Sequence, residues 1–251
     1  MVMGFERFKE WFLGYEEQFV IIGGAACDML MSVEGLNFRA TKDIDMVLVV
    51  EALTSDFGRR FWEFVQVGSY KYRNKSTGEP QFYRFTDPDQ PDFPYMIELF
   101  SRRIDSIDLP TDAYLTPLPL DDDLSSLSAI LLNDDYYSLL HTGRVVVEGL
   151  PVLSAAHLIP FKAKAWLDLS ARKMAGEPID SRHISKHKND VFRLSRLLTA
   201  ELAIDVADTV KADLIAFGSA MKIEDVDLKA FGIRDSKAGV LERIMRVYFS
   251  E

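Results

Sequence analysis

Two aspartates that alternate along one predicted strand are the residues of this sequence best suited to chemistry. Asp43 and Asp45 begin the otherwise apolar run DIDMVLVV, and side chains two residues apart on a strand project from the same face. Like charges held side by side raise each other's pKa and destabilise the fold unless a cation neutralises them. The pair therefore indicates a divalent-cation site, and Mg²⁺ commonly takes one or two carboxylates together with the phosphate oxygens of a substrate.

The same D-x-D spacing recurs elsewhere, so the spacing alone is a weak signal. The pairs Asp87/Asp89 and Asp121/Asp123 lie among prolines or in a run of aspartates, which favours a solvated loop. A solvated strand end is also the alternative for the first pair. What favours a site there is a Gly-Gly turn upstream, at the end of another predicted strand.

Gly23 and Gly24 separate the short β-prone run FVII from an apolar segment with helical spacing, so we predict a strand, a tight turn and a helix. Glycines in such a turn let backbone N–H groups approach a phosphate closely, and the positive N-terminal end of the helix attracts the same anion. Without the nearby acids, an ordinary tight turn would be the simpler interpretation. With them, the two glycines become candidate phosphate ligands.

Glu98 is an isolated acid within the apolar run YMIELF. An unpaired charge in the middle of such a strand would be expensive, so Glu98 is the natural third carboxylate for a cation held by Asp43 and Asp45. The alternative is an ion pair between Glu98 and Arg102 or Arg103 on an edge strand.

The elements that position these residues are predicted to form an α+β fold with a mixed sheet, followed by an all-α C-terminal region. An aromatic stripe predicts a first helix over 5–15, and beyond Ser154 the spacing is helical throughout. We divide the chain into an α/β domain at 1–150 and a helical domain at 151–251. Strands are predicted at 19–22, 43–50, 81–85, 95–100 and 144–147, the last of them with a Gly-Leu-Pro turn at 149–151. C-terminal helices are predicted at 154–172 and from 180 to about 198.

The composition excludes several classes of protein. The chain has 251 residues, 48% of them hydrophobic and 27% charged, which is typical of a globular protein with a real core. One cysteine, no apolar run long enough for a bilayer and no signal-peptide pattern lead us to expect a cytoplasmic protein without a membrane partner. A net charge of −10 argues against broad nucleic-acid coating, although basic clusters leave room for a local groove. No Walker-type or G-x-G-x-x-G motif occurs.

In combination, the strand, the Gly-Gly turn, the D-x-D pair and the later isolated acid resemble the polymerase-β-type nucleotidyltransferase superfamily. The segments IGGAA at 22–26 and RATKDID at 39–45 resemble its small bacterial branch, which includes AbiEii-type toxins and lincosamide-type antibiotic nucleotidyltransferases. In the helical region, LIPFK at 158–162 resembles the lysine-bearing helix of that branch, and KHKNDV at 186–191 resembles its basic-then-aspartate motif. Many members have Gly-Ser where this chain has Gly-Gly.

The resemblance implies a Mg²⁺-dependent enzyme that moves a nucleoside monophosphate from an NTP to an acceptor hydroxyl and releases pyrophosphate. It implies that Asp43 and Asp45 bind both Mg²⁺ ions, and that Glu98 binds the catalytic one and helps to deprotonate the acceptor. Lys162 would neutralise charge on the phosphates, whereas Lys164, about 200° round the same helix, points elsewhere. The implied nucleotide-binding residues are Gly23, Gly24, Arg39, Thr41 and Asp190.

The resemblance leaves the acceptor open between tRNA, a protein hydroxyl and a small molecule such as an antibiotic. It also implies a possible antitoxin-type protein partner, as in a toxin-antitoxin pair. Two alternatives stay open. Asp190 is equally well explained as a structural partner of a lysine, and the whole chain as a non-catalytic family member that binds a nucleotide or a protein partner.

Overall fold

The computed structural model describes residues 3–72, 84–101, 130–131 and 133–249. Within these residues the architecture is α+β: a six-stranded mixed sheet, with consecutive helices towards the C-terminus. This confirms the predicted fold class at that level. The chain divides into two compact units that interleave in sequence, the first comprising Met1–Asp121 and Arg144–Leu153, the second Asp122–Gly143 and Ser154–Glu251.

The sheet combines parallel and antiparallel pairs, in the order β3-β4-β2-β1-β6-β5. Strands β2 and β4 are parallel, as are β1 and β6, and the other neighbours are antiparallel. The strands are β1 (Phe19–Ile22), β2 (Asp43–Leu48), β3 (Arg84–Thr86), β4 (Met96–Phe100), β5 (Arg144–Val147) and β6 (Leu150–Leu153).

Helices in the described part of the chain flank the strands of the first unit and make up most of the second. None of them is both long enough and apolar enough to cross a bilayer. They are α1 (Phe5–Trp11), α2 (Gly23–Val33), α3 (Ser55–Val67), α4 (Asp134–Thr142), α5 (Ala155–Met174), α6 (Ser181–Leu194), α7 (Asp208–Met221) and α8 (Lys237–Phe249).

One face of the sheet is buried beneath aromatic side chains. Residues paired across neighbouring strands share a face, and the register places Phe19 on β1 and Phe85 on β3 on the same one. Helices α1 and α3 cover it: the ring centroids of Phe8 and Phe19 are 5.9 Å apart, and those of Phe61 and Phe85 are 5.2 Å apart. The opposite face is therefore the one that carries the candidate acids.

The second unit is built around α5, which packs against α4, α6 and α7. The C-terminal helix α8 contacts α7 and is also tied to the start of α5, because the buried Tyr248 hydroxyl donates a 2.6 Å hydrogen bond to the Ala156 carbonyl. Asp180 caps α6, its side chain accepting a hydrogen bond from the Arg182 backbone N–H.

Predicted element ends differ from the observed ones where local geometry intervenes. Helix α1 ends at Trp11 rather than near 15, since the chain turns at Gly14 with a φ of +88°. Strand β2 ends at Leu48 instead of 50, and α6 ends at Leu194 before a short 3₁₀ turn. The beginning of the strand predicted at 81–85 lies outside the described residues.

The strand predicted at 144–147 is confirmed as β5, but the turn predicted at 149–151 was wrong. A further strand, β6, begins at Leu150, and the turn between the two strands consists of Glu148 and Gly149 with φ values of +50° and +83°. Positive φ at both central residues is the requirement of a tight type I′ hairpin. Pro151 lies within β6 rather than in the turn, and β6 continues the sheet by pairing in parallel with β1.

Candidate functional site

The register of the sheet brings two predicted site acids together. Asp45 on β2 faces Glu98 on the parallel strand β4, and Ile22 on β1 from the other side. Asp43 faces Met96 on β4 and shares the face of Asp45, because the two lie two residues apart on one strand. The alternation expected from the sequence is present: both aspartates are half-buried and Ile44 between them is buried.

Gly23 is fitted against the Asp45 carboxylate. It has a φ of +69°, a conformation that disfavours residues with a Cβ, and it begins α2 directly after β1 ends. A Cβ added there would overlap Oδ2 of Asp45. Glycine therefore serves two needs at this position, the turn itself and the close approach of a carboxylate to the N-terminus of the helix.

Gly24 is similarly close to Arg39 and Thr41, two of the four residues of the RATKDID segment that precede β2. A Cβ at Gly24 would lie 2.7 Å from Thr41 Oγ1 and 3.4 Å from the Arg39 Nη2. Both side chains are half-buried, and the Arg39 guanidinium stacks on the Phe38 ring at 5.1 Å from its centroid. The Thr41 hydroxyl thus stands beside the first turn of α2, where a serine in place of Gly24 would crowd it.

Glu98 forms an ion pair that was not predicted from the sequence. Its Oε1 lies 2.6 Å from Nε of Arg84, which occupies the facing position on the edge strand β3. Glu98 itself is 8% exposed. The partners considered from the sequence, Arg102 and Arg103, lie outside the described residues. The only sequence signal for Arg84 was its place in a β-prone run, and the run alone does not say which strand it pairs with.

No cluster of three or more His, Cys, Asp or Glu side chains in the described part of the chain is arranged to hold a metal ion. Asp45 and Glu98 nevertheless offer hard oxygen donors at facing positions, and a cationic group, the Arg84 guanidinium, already contacts Glu98. These donors fit Mg²⁺ bound by one or two protein carboxylates, with phosphate oxygens completing the coordination. A role for all three acids as ligands stays a prediction.

Lys162 and Asp190 form a second group, within the helical unit. The Lys162 amine on α5 lies 3.2 Å from Asp190 Oδ2 on α6, and Asp190 has no solvent-exposed surface. Arg193, one turn further along α6, lies 3.4 Å from the other Asp190 oxygen. Their proposed roles towards a nucleotide stay predictions; what the structure establishes is a buried pair of opposite charges flanked by a second cation.

Lys164 has different partners from Lys162, as the helical spacing predicted. Its amine lies 3.1 Å from Asp213 on α7 and 3.4 Å from Asp168. Burial alone would lower the pKa of Lys164, but the hydrogen bonds and charges of Asp213 and Asp168 outweigh it and raise that pKa above its usual value. Asp213 also accepts a hydrogen bond from the buried Tyr136 hydroxyl, at 3.0 Å.

The candidate residues thus fall into two groups, one in each unit. In the sheet unit Gly23 lies against Asp45, Gly24 lies near Thr41 and Arg39, and Asp45 faces Glu98 in the strand register. In the helical unit Lys162 forms an ion pair with Asp190. No protein-family model matches this chain, and no curated protein is significantly similar to it in sequence.

Proposed function

We propose that this protein is a Mg²⁺-dependent nucleotidyltransferase that transfers a nucleoside monophosphate from an NTP to an acceptor hydroxyl. The observation that carries the proposal is the junction of β1 and α2, where a Gly-Gly turn lies against Asp45, with Glu98 facing that aspartate on the next strand. A helix N-terminus without side chains and a pair of carboxylates on one face are what binding a metal-triphosphate complex requires.

The first turn of α2 would bind the phosphates. Gly23 and Gly24 add no side chain of their own at this turn, and the helix dipole favours an anion there. Arg39 and Thr41, both beside Gly24, add a guanidinium and a hydroxyl, which are strong donors to phosphate oxygens. The sheet unit by itself therefore supplies donors for the triphosphate and acceptors for its counter-ions.

The carboxylates would hold Mg²⁺, with Asp43 and Asp45 as the principal ligands and Glu98 as the third. When bound, Mg²⁺ would neutralise charge that develops on the transferring phosphoryl group. Gly23 leaves room for the Asp45 carboxylate, and Glu98 would receive the proton of the acceptor hydroxyl. Lys162 belongs to the same proposal as a counter-charge for the leaving pyrophosphate. We also propose that the protein acts in the cytoplasm.

The test is transfer of label from each of the four NTPs, labelled at the α-phosphate, to tRNA, to proteins and to small hydroxylated antibiotics. We expect wild-type protein to label one acceptor class and Asp45→Asn to abolish transfer with little loss of fold. Asp89→Asn, the same change at an exposed aspartate of a D-x-D pair in a loop, should leave transfer unchanged. Transfer that survives in Asp45→Asn would exclude this site.

The salt dependence of transfer would then identify the acceptor class. An RNA acceptor bound through a basic groove releases counter-ions, so activity should fall steeply between low and moderate salt. A small molecule or a protein hydroxyl makes no such demand, and the dependence should be nearly flat.

A non-catalytic role, binding a nucleotide or a protein partner, is the second candidate. The ion pair between Arg84 and Glu98 favours it, because the third acid already has a counter-ion within the chain. Calorimetry would show NTP binding that Asp45→Asn alters, while no acceptor becomes labelled.

A further inference from the structure

Arg84 occupies the position next to the candidate cation site. It faces Glu98 across the β3–β4 pair, and its Nε lies 2.6 Å from Glu98 Oε1. The Arg84 side chain is 35% exposed, whereas that of Glu98 is 10% exposed. The partly exposed guanidinium thus reaches a nearly buried carboxylate from β3, the strand at the end of the described sheet.

Strand β3 does not depend on this ion pair to stay in the sheet. Its backbone pairs with β4 at three positions, and Thr86 also exchanges two 2.8 Å backbone hydrogen bonds with Lys71. Phe85 is buried on the opposite face against Phe61. The positive charge of Arg84 is therefore explained by its ion pair with Glu98 rather than by strand pairing.

Glu98 and Asp45 occupy facing positions on neighbouring parallel strands. Two carboxylates at such positions repel each other unless a cation lies near, and partial burial strengthens the repulsion because water screens it less. Arg84 supplies that positive charge from within the chain. A divalent cation bound between the same two acids would supply it instead, and would use the Glu98 oxygens that Arg84 contacts.

We propose that Arg84 is a positioning residue that holds Glu98 in place and competes with Mg²⁺ for its carboxylate, so that the cation binds only as the Arg84–Glu98 ion pair loosens. The proposal rests on the proposed function, since it takes Asp45 and Glu98 as the cation site. It adds a residue that sets the Mg²⁺ concentration at which the site becomes occupied.

The test is a calorimetric titration of the protein with Mg²⁺, without nucleotide and at constant ionic strength, with the melting temperature of each variant measured separately. Removing a competing cation should strengthen Mg²⁺ binding, so Arg84→Gln should reach half-saturation at about a tenfold lower Mg²⁺ concentration than wild type, the scale of one charge-assisted hydrogen bond. Arg144→Gln is the matched control. Arg144 lies on β5 at the other end of the sheet and forms an ion pair with Glu17. Its replacement removes the same charge and one ion pair, and this variant should titrate as wild type does.

Arg84→Lys provides a second test of the competition, which can be used even if Arg84→Gln does not fold. A lysine keeps the charge but not the geometry of the guanidinium, so its Mg²⁺ midpoint should lie between those of wild type and Arg84→Gln. Such an ordering supports competition, whereas a purely structural role predicts lower melting temperatures with unchanged midpoints.

The outcomes separate this inference from the proposed function. If wild type responds to Mg²⁺, Asp45→Asn does not, and both Arg84 variants have the wild-type midpoint, the cation site stands and the role of Arg84 is overturned. If wild type responds no more than Asp45→Asn, the cation site fails and the competition fails with it. Equal shifts in Arg84→Gln and Arg144→Gln would reduce the effect to net charge and overturn the inference.

Discussion

Glu98 and Asp190 are both acids in apolar surroundings, but they differ in the number and the exposure of their ion-pair partners. Glu98 lies in the sheet, opposite Asp45, and its guanidinium partner comes from a part-exposed side chain on an edge strand. Asp190 lies in the helical unit, has no exposed surface, and is contacted by Lys162 and Arg193, whose side chains are also largely buried.

The difference indicates which carboxylate can exchange partners. A buried ion pair that loses one member leaves an uncompensated charge away from water, which is costly, so the Asp190 pair is suited to a permanent structural contact. A carboxylate such as Glu98, with a partly exposed partner and a second acid opposite, is suited to taking a cation. We therefore expect stability to depend mainly on the helical pair and chemistry on the sheet acids.

The largest expected effect is on stability. Asp190→Ala removes the partner of two cations and should lower the free energy of unfolding by about 3–5 kcal/mol, the usual loss when a buried pair is broken from one side. Asp45→Asn relieves repulsion between neighbouring acids and should leave the apo melting temperature unchanged or slightly raised. Denaturant melts of the two variants measure both. Asp56→Ala, in an exposed ion pair with Arg59, is the control and should cost little. If Asp190→Ala were as stable as wild type, the helical ion pair would not be the structural contact that the comparison with Glu98 takes it to be.

A smaller effect is expected on turnover from the lysines of α5. If Lys162 supplies charge to the leaving pyrophosphate, Lys162→Ala should lower turnover by about one to three orders of magnitude, the range for one transition-state contact, and Lys164→Ala by much less. Because Lys162 is paired with Asp190, turnover is to be measured well below the melting temperature of each variant. Lys162→Arg, which keeps the charge, should recover part of it. Equal losses from Lys162→Ala and Lys164→Ala would show that α5 serves packing.

The features predicted from the sequence are those that depend on neighbours along one chain segment. Alternation along β2 places Asp43 and Asp45 on one face, and the Gly-Gly pair after β1 gives the turn into α2. Both signals are local, with a period of two residues or a single backbone requirement. They were sufficient to locate the part of the sheet where the candidate site lies.

The features that were missed depend on which elements become neighbours. Arg84 meets Glu98 only because β3 is the edge strand beside β4, and no local pattern specifies that order. Pro151 was predicted to lie in a turn, yet it lies in β6, although proline is uncommon inside a sheet. The Lys162–Asp190 contact needs the packing of α5 on α6, which periodicity does not give.

The glycine at the turn allows a sharper test of the sheet site. Gly23→Ala should cost about 1–2 kcal/mol for a left-handed backbone and should also displace the Asp45 carboxylate, so turnover should fall well beyond the loss of stability. Gly35→Ala is a close control, since Gly35 has a similar φ of +65° but no atom within 4 Å of an added Cβ. It should cost only the backbone term. If the two variants match in stability and in turnover, the contact of Gly23 with Asp45 has no role.

The smallest expected effect concerns acid pH and the helical unit. His157, near the start of α5, packs against Gly143 and shares a 2.7 Å hydrogen bond between its Nδ1 and the Ser154 hydroxyl. Burial lowers the pKa of His157 below its usual value. As pH falls, the unfolded chain therefore protonates His157 before the folded protein does. The stability that the neutral ring contributes is complete above about pH 6.5 and is lost as pH falls from there through the lower pKa of the folded state.

Denaturant melts between pH 8 and pH 5 should show a shallower loss of stability in His157→Gln than in wild type. His183→Gln, from a half-buried position on α6, controls for the removal of a histidine. Parallel curves for wild type and His157→Gln would mean that the acid response of the protein arises elsewhere, and would weaken the view that buried polar groups of the helical unit are committed to its stability.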